Sequence, residues 1–491
     1  MSPPCSADAV TTPHPAWPRH VVDAATWEDA AAGLAAGEAT LLALWGDTSG
    51  DTPFVHLAAL PPGRTPMILS LEVSDGRFPS IGRLNPAAIR LERAVFDLHG
   101  LVADGAPDAR PWLDHGRWPH SRSPAGYAFL PAEGADLHQI PVGPVHAGTI
   151  EPGHFRFTVQ GETIVRLEAR LGYTHKGTIA LMRGATPEHA ARLAGRISGD
   201  STVAYALAFC HAVERASGTA VPARAAAWRG VMAELERVAN HLGDVGAICN
   251  DAGFALMNAH CAVLRERMLR LAGRCFGHRL MMDRIVPGGI AGEPDADAPA
   301  AIRAELDGLE RRFARLVELY DKTASLQDRV VGAGCLAPEM ARRLCCGGYV
   351  GRASGRDFDV RRDIPYPPYD RLTLAVPCRD AGDVDARVRI RISEIAASAE
   401  IVRTLLRDLP AGDSRGTQGT RDGEAGALVE GFRGDIFAHC RIEGGRIGGV
   451  FLRDPSWFAW PALEAAIEGN IVADFPLCNK SFNCAYSGHD L

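Results

Sequence analysis

The stretch from about Pro187 to Arg284 constrains the fold most, because its apolar residues recur at three and four instead of at two. Trp228, Val231, Met232, Leu235, Val238, Ala239, Leu242 and Val245 fall on one helical face and predict a long helix inside a helical layer. Glu234, Arg237, His241 and Asp244 share an arc of roughly 80° opposite that stripe, at about 100° per residue. Spacing alone leaves two readings open: a solvated face, or a polar site buried between helices. A further helix is expected over about Val384 to Arg407, and Ala411 to Ala425 (AGDSRGTQGTRDGEA) reads as a loop.

Ahead of the helices the pattern changes. Short apolar runs between Gly/Pro turns (Ala39–Trp45, Phe54–Leu60, Pro66–Val73) precede a helical pattern at Ala87–Leu98, which predicts a small α+β domain over 20–120. Residues 1–19 read as a flexible tail without a secretion signal, and 121–142, with Pro124, Pro131 and Pro141, as a linker. The rest, 143–491, opens with a hairpin-like segment at His154–Val159 and Thr163–Leu167 and then turns mainly helical, so the expected class is α+β throughout. A chain of 491 residues has room for these units.

Composition excludes several functions. With 52 Lys+Arg against 59 Asp+Glu the net charge is −7, which rules out a general basic surface for nucleic acid. No run approaches the ~20 apolar residues of a membrane span; the most apolar, Phe254 to Leu264, already holds Asn258 and His260. The 12 cysteines include no CxxC pair, so they read as reduced, buried small hydrophobes and not as zinc or iron–sulfur ligands.

Eight segments then resemble, in order, the large subunit of energy-converting [NiFe] hydrogenases and its relative, the 49-kDa subunit of respiratory complex I. They are Gly143–Phe157 (GPVHAGTIEPGHFRF), Leu171–Gly177 (LGYTHKG), Arg196–Glu214, Glu234–Gly253 (ELERVANHLGDVGAICNDAG), Val286–Gly289, Gly351–Tyr366, Phe432–Asp435 (FRGD) and Arg453–Ser456 (RDPS). The first domain resembles the complex I 30-kDa subunit through an ERxxxDxxG motif met by Glu92, Arg93, Asp97 and Gly100.

The resemblance implies a [NiFe] site made by two CxxC pairs, because four soft thiolates hold these metals. Laid on this chain, the first pair falls on Ser198 and Ser201 of RISGDS and the second on Ala485 and Gly488 of SFNCAYSG, with Cys484 offset by one residue and Cys478 six before it. The proton-accepting glutamate that follows HRG in such hydrogenases corresponds to Ile179, after HKG. The resemblance therefore implies a relative without the metal, whose tail carries no extension of the kind removed after metal insertion.

What remains is the complex I role. The resemblance places Lys176, Arg237, His241 and Asp251 towards a [4Fe–4S] cluster carried by an iron–sulfur small subunit (20-kDa-like) and towards a quinone channel. His146 matches the first histidine of the quinone motif GPQHPxxHG; His154 is displaced from the second and reads equally as a strand histidine bonded to backbone. The quinone-binding tyrosine falls on Gly195, leaving Tyr173, Tyr205 and Tyr486 as nearby candidates. Arg433 and Arg453 are expected either to line the emptied cavity or to bind the backbone of the carboxyl tail. The chain itself carries no cluster motif, and quinone is the small-molecule candidate. The implied partners include antiporter-like membrane subunits, with peripheral placement on the cytoplasmic face of the inner membrane. The implied function is the redox end of an ion-pumping complex, with a non-catalytic scaffold as the alternative.

Overall fold

A computed structural model describes residues 10–11, 16–118, 126–145 and 150–491. The class is α+β. The amino-terminal region is a four-stranded sheet in the order Arg19–Val22, Met67–Glu72, Phe54–Leu60, Thr40–Asp47, parallel between the first pair and antiparallel elsewhere. Helices Ala24–Ala36 and Ile89–His99 accompany it. Part of the expected tail is built into the fold: Val10–Thr11 pairs with Val221–Pro222, and Trp17 is buried beside Phe437. The remainder of that tail, 1–9 and 12–15, lies outside the described residues.

The ERxxxDxxG motif ties loops down. Glu92 accepts from the Ile81 and Gly82 amides and from Ser80 Oγ. Arg93 donates to the Arg110 and Pro111 carbonyls and to Asp108, and one oxygen of Asp97 accepts from the amides of Trp112, Leu113 and Asp114. Gly100 ends the helix at φ +73°, a conformation that costs other residues strain. The loop so fixed reaches the far end of the chain, where Trp112 Nε1 donates to His489 Nε2 at 3.1 Å.

The region expected as linker ends in a strand: Leu137–Val142 pairs with His154–Gln160, which pairs with Thr163–Arg170. Pro141 is tolerated because this is an outer strand of its sheet. The long helical stretch divides into Pro187–Ala194, Thr202–Ser217, the central helix Ala223–Asp251, and Ala255–Phe276. The central helix packs chiefly on Ala255–Phe276 and on Val384–Arg407. An antiparallel sheet, Gly423–Gly431, Gly434–Glu443 and Arg446–Arg453, covers helix Thr202–Ser217, and the chain closes with helices Ser456–Ala466, Phe475–Phe482 and Tyr486–Asp490. Of the described cysteines, Cys335 and Cys378 are exposed and the others buried. Among the described residues no helix is long and apolar enough to cross a membrane.

Candidate functional site

The polar face of the central helix is buried between helices, so the solvated-face reading does not hold. Glu234, Arg237 and His241 are at most 1% exposed and Asp244 is 8% exposed. Helix Val384–Arg407 supplies the complement. Glu394 accepts from His241 Nε2 at 2.7 Å and from Arg352 Nε at 3.0 Å, with Arg237 Nη1 3.6 Å away. Glu234 accepts from Arg361, Tyr369 Oη and Ser398 Oγ. Arg352 also reaches Glu430 at 2.9 Å and Asp359 at 3.4 Å. The result is a dry network of four carboxyls and three guanidinium groups, drawn from five separate chain segments.

That network sets the state of His241. Burial depresses its imidazolium, and the Glu394 hydrogen bond only partly restores it, so the ring is neutral with Nε2–H donating to Glu394. Its Nδ1 is buried without a hydrogen-bond partner, against the rings of Tyr349 and Phe432. Arg237 spends its remaining donors on the Glu430 and Gly431 carbonyls. The expectation that Arg237 and His241 face a partner's cluster is therefore revised: neither side chain reaches the surface, because helix Val384–Arg407 and strand Gly423–Gly431 cover them. Asp251, at the end of the same helix, is partly exposed; burial raises its carboxyl and Lys480 lowers it.

Past the Phe432 ring that packs on His241 lie Ser198 and Ser201, two of the positions that the resemblance assigns to metal ligands. Ser198 and Ser201 flank Asp200; Ser198 Oγ donates to Asp200 at 2.7 Å, and Arg433 clamps the same carboxylate through Nη1 and Nη2 at 2.8 and 2.6 Å. Burial pushes the Asp200 carboxyl up, but Arg433 and the serine hydroxyls pull it down further, to about 2. Arg433 Nε also donates to the Asn483 carbonyl at 2.6 Å, so one guanidinium joins the serine segment to the carboxyl tail, and it lies over the Phe432 ring. In the tail, Ala485 accepts from Trp460 Nε1, and Gly488 packs so closely on Asp454 that a Cβ there would collide with its carboxylate. Tyr205 Oη donates to that carboxylate at 2.6 Å.

The donor set does not fit a [NiFe] centre. Two serine hydroxyls committed to an aspartate, an alanine and a glycine offer none of the four thiolates that the pair of metals requires. Among the described residues no group of three or more His, Cys, Asp or Glu is placed to hold a metal ion.

The other expected residues scatter. Lys176 is at the rim: its Nζ donates to the Ile197 carbonyl, next to Ser198, and its amide to Leu491, while burial lowers the ammonium against the pull of Glu151 and Asp490. The surrounding LGYTHKG segment cradles the tail, with Asp490 accepting from Gly172 and Thr174. His154 is a strand histidine: Nδ1 donates to the Gly143 carbonyl at 3.0 Å and Nε2 accepts from Arg156. Arg453 departs from both expectations, since it is fully buried on Asp435 and on the Leu42 carbonyl of the amino-terminal sheet, where it joins the two halves of the chain. His146 lies outside the described residues. Sequence reasoning missed Asp200, Tyr205's partner Asp454, and the partners Arg352 and Glu394. Only Asp200, between the two serines, carried a local signal.

Comparison with known proteins agrees with this architecture. Residues 251–421 match the family described as respiratory-chain NADH dehydrogenase, 49 Kd subunit, and residues 21–126 match its 30 Kd subunit family. Formate hydrogenlyase subunit 5 of Escherichia coli is 30% identical over 446 residues, covering 86% of this chain and 78% of that one. An NADH-quinone oxidoreductase chain of Dehalococcoides mccartyi is 32% identical over 349 residues, covering 68% of this chain and 92% of that one. A chain from the structure of the membrane-bound sulfane sulfur reductase, an archaeal respiratory membrane complex, superposes with a TM-score of 0.68 at 25% identity, covering 72% of this chain and 99% of that chain. The chain thus belongs to the family that unites the complex I 49-kDa subunit with hydrogenase large subunits, and it carries a 30-kDa-subunit domain fused ahead of that region.

Proposed function

We propose that this chain is a nickel-free large subunit at the redox end of a membrane complex, where electrons pass from the [4Fe–4S] cluster of a small subunit to a quinone beside it and the reaction drives ion translocation. The observation that carries the proposal is the set Ser198, Ser201, Ala485 and Gly488, with the Arg433–Asp200 pair tying the first segment to the tail. Hydrogen activation has no ligands there. Reduction of a quinone to quinol takes up two electrons and two protons and needs no metal in this subunit. Lys176 is suited to the proton side, because it stands exposed at the rim beside Ile197 and partial desolvation makes its ammonium more acidic. Membrane attachment is then peripheral, on the cytoplasmic face, through antiporter-like and other partner subunits.

The test is electron transfer in the purified complex. Reduction of a short-chain quinone by a low-potential donor, lost in Lys176→Ala, with no hydrogen uptake, is the expected result; hydrogen uptake overturns the proposal. A second reading, a scaffold that transmits conformational change, is favoured by the sealing of His241 and by the closed Arg433–Asp200–Asn483 link. It is supported instead if neither substrate turns over.

A further inference from the structure

A cavity of about 820 Å³ opens at the seam between the amino-terminal sheet and the 49-kDa-like region, away from the serine and tail segments. Three guanidinium groups line it, from three separate segments. Arg64 comes from the turn between strands Phe54–Leu60 and Met67–Glu72, Arg215 from the last turn of helix Thr202–Ser217, and Arg356 from the segment after helix Gly348–Ala353.

None of the three forms an ion pair with a carboxylate among the described residues. Arg64 makes no side-chain hydrogen bond or ion pair there. Arg215 donates only to the Gly426 carbonyl, at 2.7 Å, and Arg356 only to the carbonyls of Cys345 and Cys346. The carboxylates close by are committed elsewhere. Glu214, next to Arg215, holds Arg229 at 2.6 Å, and Asp357 and Asp363 on the cavity wall both hold Arg362, at 2.8 and 2.9 Å. Burial lowers the Arg215 guanidinium to about 10, against the pull of the neighbouring Glu214, whose carboxylate is bonded to Arg229.

A second cavity, of about 250 Å³, shows the contrast. Three of its four arginines, Arg90, Arg93 and Arg110, are neutralised by Glu464, Asp108 and Glu168, and the fourth, Arg166, donates to the Leu130 and Pro131 carbonyls. The larger cavity therefore leaves three positive charges facing one space whose walls also present Trp17 and Phe358, with Arg215 and Arg356 each within 5.6 Å of one of these rings. Guanidinium forks match phosphate oxygens, and the volume falls in the range of small-molecule sites.

We propose that this seam cavity binds a nucleotide-sized anion carrying two or more phosphate groups, held by Arg64, Arg215 and Arg356. It is distinct from the site beside Ser198 and independent of the proposed redox role. The test is calorimetric titration of the purified complex with ATP and with inorganic pyrophosphate. Saturable binding of both is expected, weakened about tenfold or more by Arg64→Gln and by Arg215→Gln, and unchanged by Lys322→Gln, on the exposed Glu318 pair. Arg64 is exposed in a turn, so its replacement spares the fold even if Arg215→Gln disturbs it. Absence of binding at millimolar concentration, or binding that survives Arg64→Gln, overturns the proposal.

Discussion

Removing the Glu394 carboxylate should unlock the buried network. Glu394 is 1% exposed and accepts from His241 Nε2 at 2.7 Å and Arg352 Nε at 3.0 Å, with Arg237 3.6 Å away. Glu394→Ala strands these donors in a dry interior. It also turns four carboxyls against three guanidinium groups into an excess of positive charge once Glu430, which burial and Asp359 push up to about 7, is partly protonated. Breaking one side of a buried ion pair costs about 3–5 kcal/mol, and each buried donor left unmade about 1–3 kcal/mol, so the ion-pair figure is a conservative total. For a unit of about 350 residues the unfolding entropy is roughly 0.7 kcal/mol/K, which converts that cost into a fall in Tm of about 4–7 °C. Scanning calorimetry on wild type and Glu394→Ala measures it. Glu394→Gln, which keeps an acceptor for Arg352, should lose less. A fall of under about 1 °C in Glu394→Ala would show that the network is not holding these helices together.

Three more outcomes are expected. The Asp200 carboxylate, held at about 2 in the fold against an ordinary value near 3.8, contributes stability that is complete above pH ~4 and lost as pH falls through ~2, worth about 2 kcal/mol. The Tm gap between wild type and Asp200→Asn should be widest above pH 4 and narrow towards pH 2; a gap that does not vary with pH refutes it. Gly488→Cys, the change that would restore one thiol, should cost about 1–3 kcal/mol, because the new Cβ meets the Asp454 carboxylate and lies 3.0 Å from the Ala485 Cβ. An unchanged denaturation midpoint would contradict this close packing. Trp112→Phe deletes the hydrogen bond to His489 and should lower stability by about 1 kcal/mol, with the carboxyl tail more open to carboxypeptidase; equal digestion rates would argue against the clasp.

The central helix was legible because its stripe obeys a 3.6 period, and burial of Trp228 and Leu242 follows from that alone. The fate of Glu234, Arg237 and His241 was not, since their partners Ser398, Glu394 and Arg361 lie more than 100 residues further on and only the tertiary fold brings them together. The family pattern gave Ser198, Ser201, Ala485 and Gly488. It said nothing of Arg433 binding the aspartate between the serines, and it misplaced Arg453, whose partner Leu42 sits in the other half of the chain. The 30-kDa-like motif was recognised as a signature, but its work of holding loops 80–82 and 110–114 depends on backbone amides that no residue pattern spells out.

The central claim concerns metal, and elemental analysis of the purified complex tests it most directly. Inductively coupled plasma mass spectrometry should find iron from the proposed small subunit's cluster and no stoichiometric nickel, because the positions that the resemblance assigns to the four thiolates hold Ser198, Ser201, Ala485 and Gly488. One nickel per chain would contradict the account.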